Sequence, residues 1–74
     1  ELVETAVWKE IFANYLKNGP KGSSIEVFVS PEHFNYAIGY QGENKSYLNR
    51  FFKRVAFVKD EGLKKRDHFI RDLV

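Results

Sequence analysis

Gly39 and Gly42 stand three residues apart between two stretches of helical apolar spacing, and no other feature of the chain restricts the backbone as sharply. A residue without a Cβ admits backbone conformations closed to other residues and lets a second chain pass close by. The visitor such a turn suits best is a phosphate. A helix that begins at Glu43 turns unpaired N–H groups and a positive dipole end outward, a general anion site for a sugar-phosphate backbone. Contacts of that kind set position and leave sequence unread. Two glycines at this spacing also occur in plain interhelical turns, so the flanking segments decide between the readings.

Those segments are well marked. Ile25, Val27 and Val29 alternate with Glu26 and Phe28, the period of a strand. Ser30-Pro31-Glu32 then opens a short helix, with Ser as N-cap, Pro at the first helical position and an acid in the first turn. This helix runs to about Ile38. A second one, from Glu43 to about Lys53, carries Tyr47, Leu48, Phe51 and Phe52 on one side. The glycine turn is therefore bracketed by helices and preceded by a strand, which favours the binding-loop reading.

Before this unit, Leu2 to Lys17 repeats apolar residues at three and four positions (Val3, Val7, Ile11 and Tyr15, with Trp8, Phe12 and Leu16 alongside), and Gly19-Pro20 stops the helix. Asn18 to Ser24 is turn chemistry, too short to hide a strand. After it, Val55 to Val58 reads as a second strand closed by Asp60-Glu61-Gly62. From Leu63 a last helix is expected, with Phe69, Ile70, Leu73 and Val74 inward and Lys64, Lys65, Arg66 and Arg71 outward. The expected fold class is thus α+β, in the order α-β-α-GxxG-α-β-α, with helices packed on a short two- or three-stranded sheet. Residues 1–74 form a single domain, without repeats or low-complexity tracts, and the Glu1 start suggests excision from a longer protein.

The run from Ile25 to Phe34, continued by Ala37-Ile38-Gly39-Tyr40-Gln41-Gly42-Glu43-Asn44, resembles the KH domains of the transcription elongation factor NusA. These share a strand, a Pro-acid helix start and an Ala-Ile-Gly-x-x-Gly-x-Asn loop. The resemblance spans roughly residues 25–59, and the N-terminal helix fits the bacterial, type II arrangement. It implies that Gly39, Tyr40, Gln41 and Gly42 clamp the backbone of about four unpaired nucleotides. Ile38 would floor the groove, Lys45 would supply the nearest cation, and Asn44 would meet a base or backbone edge. Arg50, Lys53 and Arg54 would form a basic rim. Two departures accompany the match. The positions between the glycines hold Tyr40 and Gln41 where such loops commonly place basic or small residues, and Glu43 adds a negative charge beside an incoming phosphate. The resemblance also implies a strand before Ile25 that residues 18–24 cannot supply. The sheet is then either two strands covered by the first and last helices, or one completed at an open edge by another chain.

With 74 residues the chain buries only about 60% of its unfolded surface. Its 43% hydrophobic and 16% aromatic content still supplies a packed core. It has no cysteine, hence no disulfide and no thiolate metal site, which suits a cytoplasmic setting. No apolar run approaches the roughly 20 residues of a membrane span. A net charge of +2 leaves the partner open. The Lys64-Lys65-Arg66 run reads first as a solvated helix face, its charge partly consumed by Asp67 and Asp72. Tyr40 either stacks on a base or packs on its own domain, while Tyr36, Tyr47 and Trp8 read as core or half-core.

His33 and His68 have no second ligand at metal spacing. The sequence shows no nucleophile elbow, no phosphate-cradling Walker loop and no paired acids in an obvious cleft, so a non-enzyme without cofactor, metal or catalytic residues is expected. Two functions remain open: a KH-like module binding single-stranded RNA, or single-stranded DNA, and a KH-shaped domain that binds protein and has lost nucleic acid.

Overall fold

A computed structural model of the chain describes residues 2–19 and 22–73. The helix stop at Pro20 and the inward placing of Val74 lie outside the described residues. In chain order the elements are α1 (Leu2–Lys17), β1 (Ser24–Val29), a 3₁₀ turn (Pro31–His33) running into α2 (Phe34–Ile38), a second 3₁₀ turn (Tyr40–Gly42), α3 (Glu43–Asn49), β2 (Arg54–Lys59) and β3 (His68–Leu73). The described residues form an α+β fold, with three α-helices on a three-stranded mixed sheet of order β2-β1-β3.

The start of the central unit follows its local chemistry. Ser30 caps the Pro31 turn by accepting a hydrogen bond from the His33 N–H at 3.2 Å. β1 alternates as its sequence does, with Ile25, Val27 and Val29 buried toward the helices. β2 returns parallel to β1 through the two-helix crossover, pairing Ile25 with Val55 and Val27 with Phe57. Backbone bonds from Lys53 N–H to Ser23 O and from Asp60 N–H to Val29 O, each 2.8 Å, close both ends of that pairing.

Inside α1 the buried stripe is Thr5, Trp8 and Phe12, at the spacing of one helical face. Val3, read as part of the apolar face, is 73% exposed. Trp8 and Phe12 meet Ala37, Leu48, Phe52 and Val55 in one core with the inner face of β1. Trp8 also brings a polar atom inside, and its indole N–H donates to His33 Nδ1 at 3.1 Å. α3 ends at Asn49, short of Lys53; Leu48 and Phe52 are buried while Phe51 is exposed.

The largest correction falls on residues 63–74. The expected last helix does not form. His68–Leu73 is a strand, antiparallel to β1, with Val27 opposite Ile70 and Val29 opposite His68. Phe69 therefore points away from the helices and is 57% exposed. The physical reason is β1's second edge, a row of backbone groups that a helix cannot pair and a strand can. The chain so provides its own third strand, from the opposite end to the one the resemblance implied.

The basic run ahead of β3 is not a solvated helix face either. Lys65 lies at φ +53°, its N–H donates to Glu32 Oε1 at 3.0 Å and its carbonyl accepts from Ser30 Oγ at 2.7 Å. Arg66 forks onto the Glu4 carboxylate at 3.2 and 2.8 Å. That fork holds the Glu4 carboxyl below the usual carboxylate range against the opposing effect of burial.

Candidate nucleic-acid interface

The glycine turn is built by three positive-φ residues among the four from Gly39 to Gly42. Gly39 lies at φ 97°, ψ 161°, Gln41 at φ 54°, ψ 29°, and Gly42 at φ 73°, ψ 17°. The first is a region only glycine occupies comfortably, and a left-handed Gln41 stores a further strain of about 1 kcal/mol. The Gly42 N–H donates to Gly39 O at 2.9 Å and closes the turn.

α1 holds this turn in place. The Tyr40 N–H donates to Thr5 Oγ1 at 3.2 Å, and Asn44 Nδ2 donates to the Thr5 carbonyl at 3.0 Å. Thr5 is thus buried as a two-sided clamp, a role its place in an apolar stripe gave no hint of.

The two glycines divide their work. A Cβ on Gly39 would come within 2.8 Å of the Asn44 backbone nitrogen, so its missing side chain serves internal packing. A Cβ on Gly42 would meet nothing within 4 Å, which leaves that position open to an approaching chain. Asn44, read as a contact to a base or backbone edge, is fully buried and spends its amide on Thr5. Its position is structural.

The exposed part of the turn borders an open hollow of about 450 Å³. Tyr40, Gln41 and Glu43 form one side, Ser46, Tyr47 and Arg50 of the α3 segment another, and Lys9 of α1 the third. Tyr40 is 57% exposed, and Lys9 Nζ stands 5.3 Å over the Tyr47 ring. Lys9 is the member that sequence reasoning missed, because its proximity to the loop depends on how α1 crosses α3 and leaves no local signal. Of the expected residues, Tyr40, Gln41 and Arg50 come together at the hollow. Gly39 and Gly42 frame the turn, and Ile38 is half-buried before it. Lys45 is exposed on α3 outside the hollow, and Lys53 and Arg54 belong to the α3–β2 junction. The anion site expected at the start of α3 is weak, since the helix has only seven residues and opens on exposed Glu43.

The hollow thus combines two cations, one carboxylate and two aromatic rings on an open surface, a set able to hold a phosphodiester and stack a base. Among the described residues no group of three His or acidic side chains is placed to hold a metal ion, and no helix is long and apolar enough to cross a membrane. No protein-family model, no curated protein and no solved structure matches the chain.

Proposed function

We propose that this chain is a KH-like module that binds single-stranded RNA, or alternatively single-stranded DNA, along the turn from Ile38 to Gly42. The observation that carries the reading is the turn itself, with Tyr40, Gln41 and the open flank of Gly42 facing solvent beside Lys9 and Arg50. A backbone phosphate would pass Gly42 and meet Lys9 and Arg50, while Tyr40 offers its ring to a base. The strand, helix, turn, helix, strand unit over residues 24–59 is the part of the chain to which the resemblance extends.

A second reading is a KH-shaped protein-interaction domain. It draws on the lack of any cation between the glycines and on Glu43 at the rim of the hollow.

Titration of labelled, pooled short RNA oligonucleotides, followed by anisotropy at two salt concentrations, separates the two. RNA binding should weaken steeply with salt, and Gly42→Asp should suppress it while leaving the fold intact. Binding unchanged in Gly42→Asp would refute the site. The absence of any binding at low salt would favour the protein partner. Gly39 is unsuited to this test, because its substitution would disturb Asn44 and thereby the fold.

A further inference from the structure

We propose that the open edge of β3 is an interaction surface that pairs, antiparallel and about a two-fold axis, with β3 of a second copy of this chain. The inference is independent of the RNA reading and concerns the opposite edge of the sheet from β2.

β1 is paired on both sides, so β2 and β3 are the two edges. β2 begins and ends on exposed Arg54 and Lys59, the charges that usually discourage edge pairing. β3 carries its two charges, Arg71 and Asp72, inside the strand, where Arg71 is held on Glu26 at 2.7 Å and Asp72 lies beside Tyr15. Its six residues pair one for one with β1, without proline or bulge, so the outer row of backbone groups is straight. Beside it runs an open groove of about 420 Å³ against α1, lined by Ile11, Asn14, Tyr15 and Asn18 together with the strand. Among the described residues, no lysine, arginine or acid lines that groove. A strand would satisfy the outer backbone groups of that edge with hydrogen bonds.

The strand's own sequence fits a second copy. In a two-fold antiparallel pair, opposed residues share a face, so the axis passes through a residue. Centred on Ile70, the pairing sets His68 opposite Asp72 of the second copy on the helix side. Ile70 meets Ile70 on that same side, and on the outer side Phe69 stands opposite Arg71 of the second copy. Asp72 lies beside Tyr15, and a carboxylate, with about four lone-pair sites, can accept from His68 of the second copy as well. Arg71 remains on Glu26 at 2.7 Å and can lie over a neighbouring ring from there. A register centred on Arg71 would oppose two guanidinium groups. One centred on Phe69 would recruit Arg66, which Glu4 already holds. The Ile70 register gives a continuous six-stranded sheet with both α1 helices along its seam.

Sedimentation equilibrium over a wide concentration range tests the proposal on the wild-type chain, with a reversible monomer–dimer equilibrium expected. Phe69→Lys places an ammonium opposite Arg71 of the second copy at two symmetric positions and should raise the dimer Kd on the order of tenfold. Phe69→Glu places a carboxylate there and should lower it by a comparable factor. A merely sticky apolar patch would be weakened by both. Amide NMR shifts of the wild-type chain on dilution should concentrate at residues 68–72, a readout that needs no variant. A monomer at every concentration, equal effects of the two substitutions, or dilution shifts along β2 would overturn the proposal.

Discussion

Replacing each loop glycine by alanine in turn separates two positions that the motif alone treats as equivalent. At Gly39 the new Cβ would stand 2.8 Å from the Asn44 nitrogen and about 3.1 Å from the Asn44 Cγ. Asn44 is fully buried and tied to Thr5, so neither can yield cheaply. Forcing alanine into φ 97°, ψ 161° adds roughly 1–3 kcal/mol of backbone strain, and the overpacking a further 1–3 kcal/mol. The expected loss is therefore about 4 kcal/mol. At Gly42 the Cβ would meet nothing, and only the left-handed backbone costs, about 1–2 kcal/mol. A domain of 74 residues has of the order of 4–11 kcal/mol to lose, so Gly42→Ala should stay folded while Gly39→Ala approaches the unfolding threshold. Trp8, the single tryptophan and fully buried, reports unfolding by fluorescence. With a urea slope near 1 kcal/mol per molar, the two midpoints should lie about 2–3 M apart. Equal midpoints would refute the division of labour between the glycines, and with it the claim that Gly42 alone faces outward.

Lys9→Ala should weaken RNA binding and flatten the slope of log affinity against log salt by about 0.7, the share of one phosphate contact on a single strand. An unchanged slope would remove Lys9 from the interface. His33→Leu strands the buried Trp8 N–H and should cost about 1–3 kcal/mol, but much less in a Trp8→Phe background, which a double-mutant denaturation cycle measures. Equal costs in both backgrounds would show that the bond contributes nothing. Burial, reinforced by the neighbouring Asp72 carboxylate, pushes the Tyr15 phenol up to about 12. The folded state thus favours the neutral phenol: its contribution is complete below the ordinary tyrosine value of 10.0 and is lost as pH rises from there to about 12. Stability measured over that window should fall in the wild type and fall less in Tyr15→Phe.

Much of the central unit was legible because its signals are local. Alternation marked β1, Ser30 with Pro31 marked the helix start, and the glycine pair marked the turn, each a property of a few consecutive residues. Trp8 and Phe12 likewise announced a buried helix face by spacing alone. The site was half legible: Tyr40, Gln41 and Arg50 were readable around the turn, whereas Lys9 and the Thr5 clamp reach it from residues more than thirty positions away.

Residues 68–73 show why the rest was not legible. His-Phe-Ile-Arg-Asp-Leu has apolar groups at 69, 70 and 73, a spacing that suits a helical face. The alternative strand buries neither of its faces uniformly and so leaves no clean period of two. Sequence by itself determined a small α+β chain with a strand, a capped helix and a glycine turn in its middle. Tertiary structure decided that the last segment is a strand, that Asn44 is interior and that the basic run before β3 is pinned in place. Each of those outcomes depends on a distant partner: β1's open edge, the Thr5 carbonyl, and the acids Glu4 and Glu32, which hold the basic run across 62 and 33 residues of chain. A backbone edge or carbonyl that must be paired favours one conformation over another by more than local propensity does, and such demands arise only once the chain has folded around them.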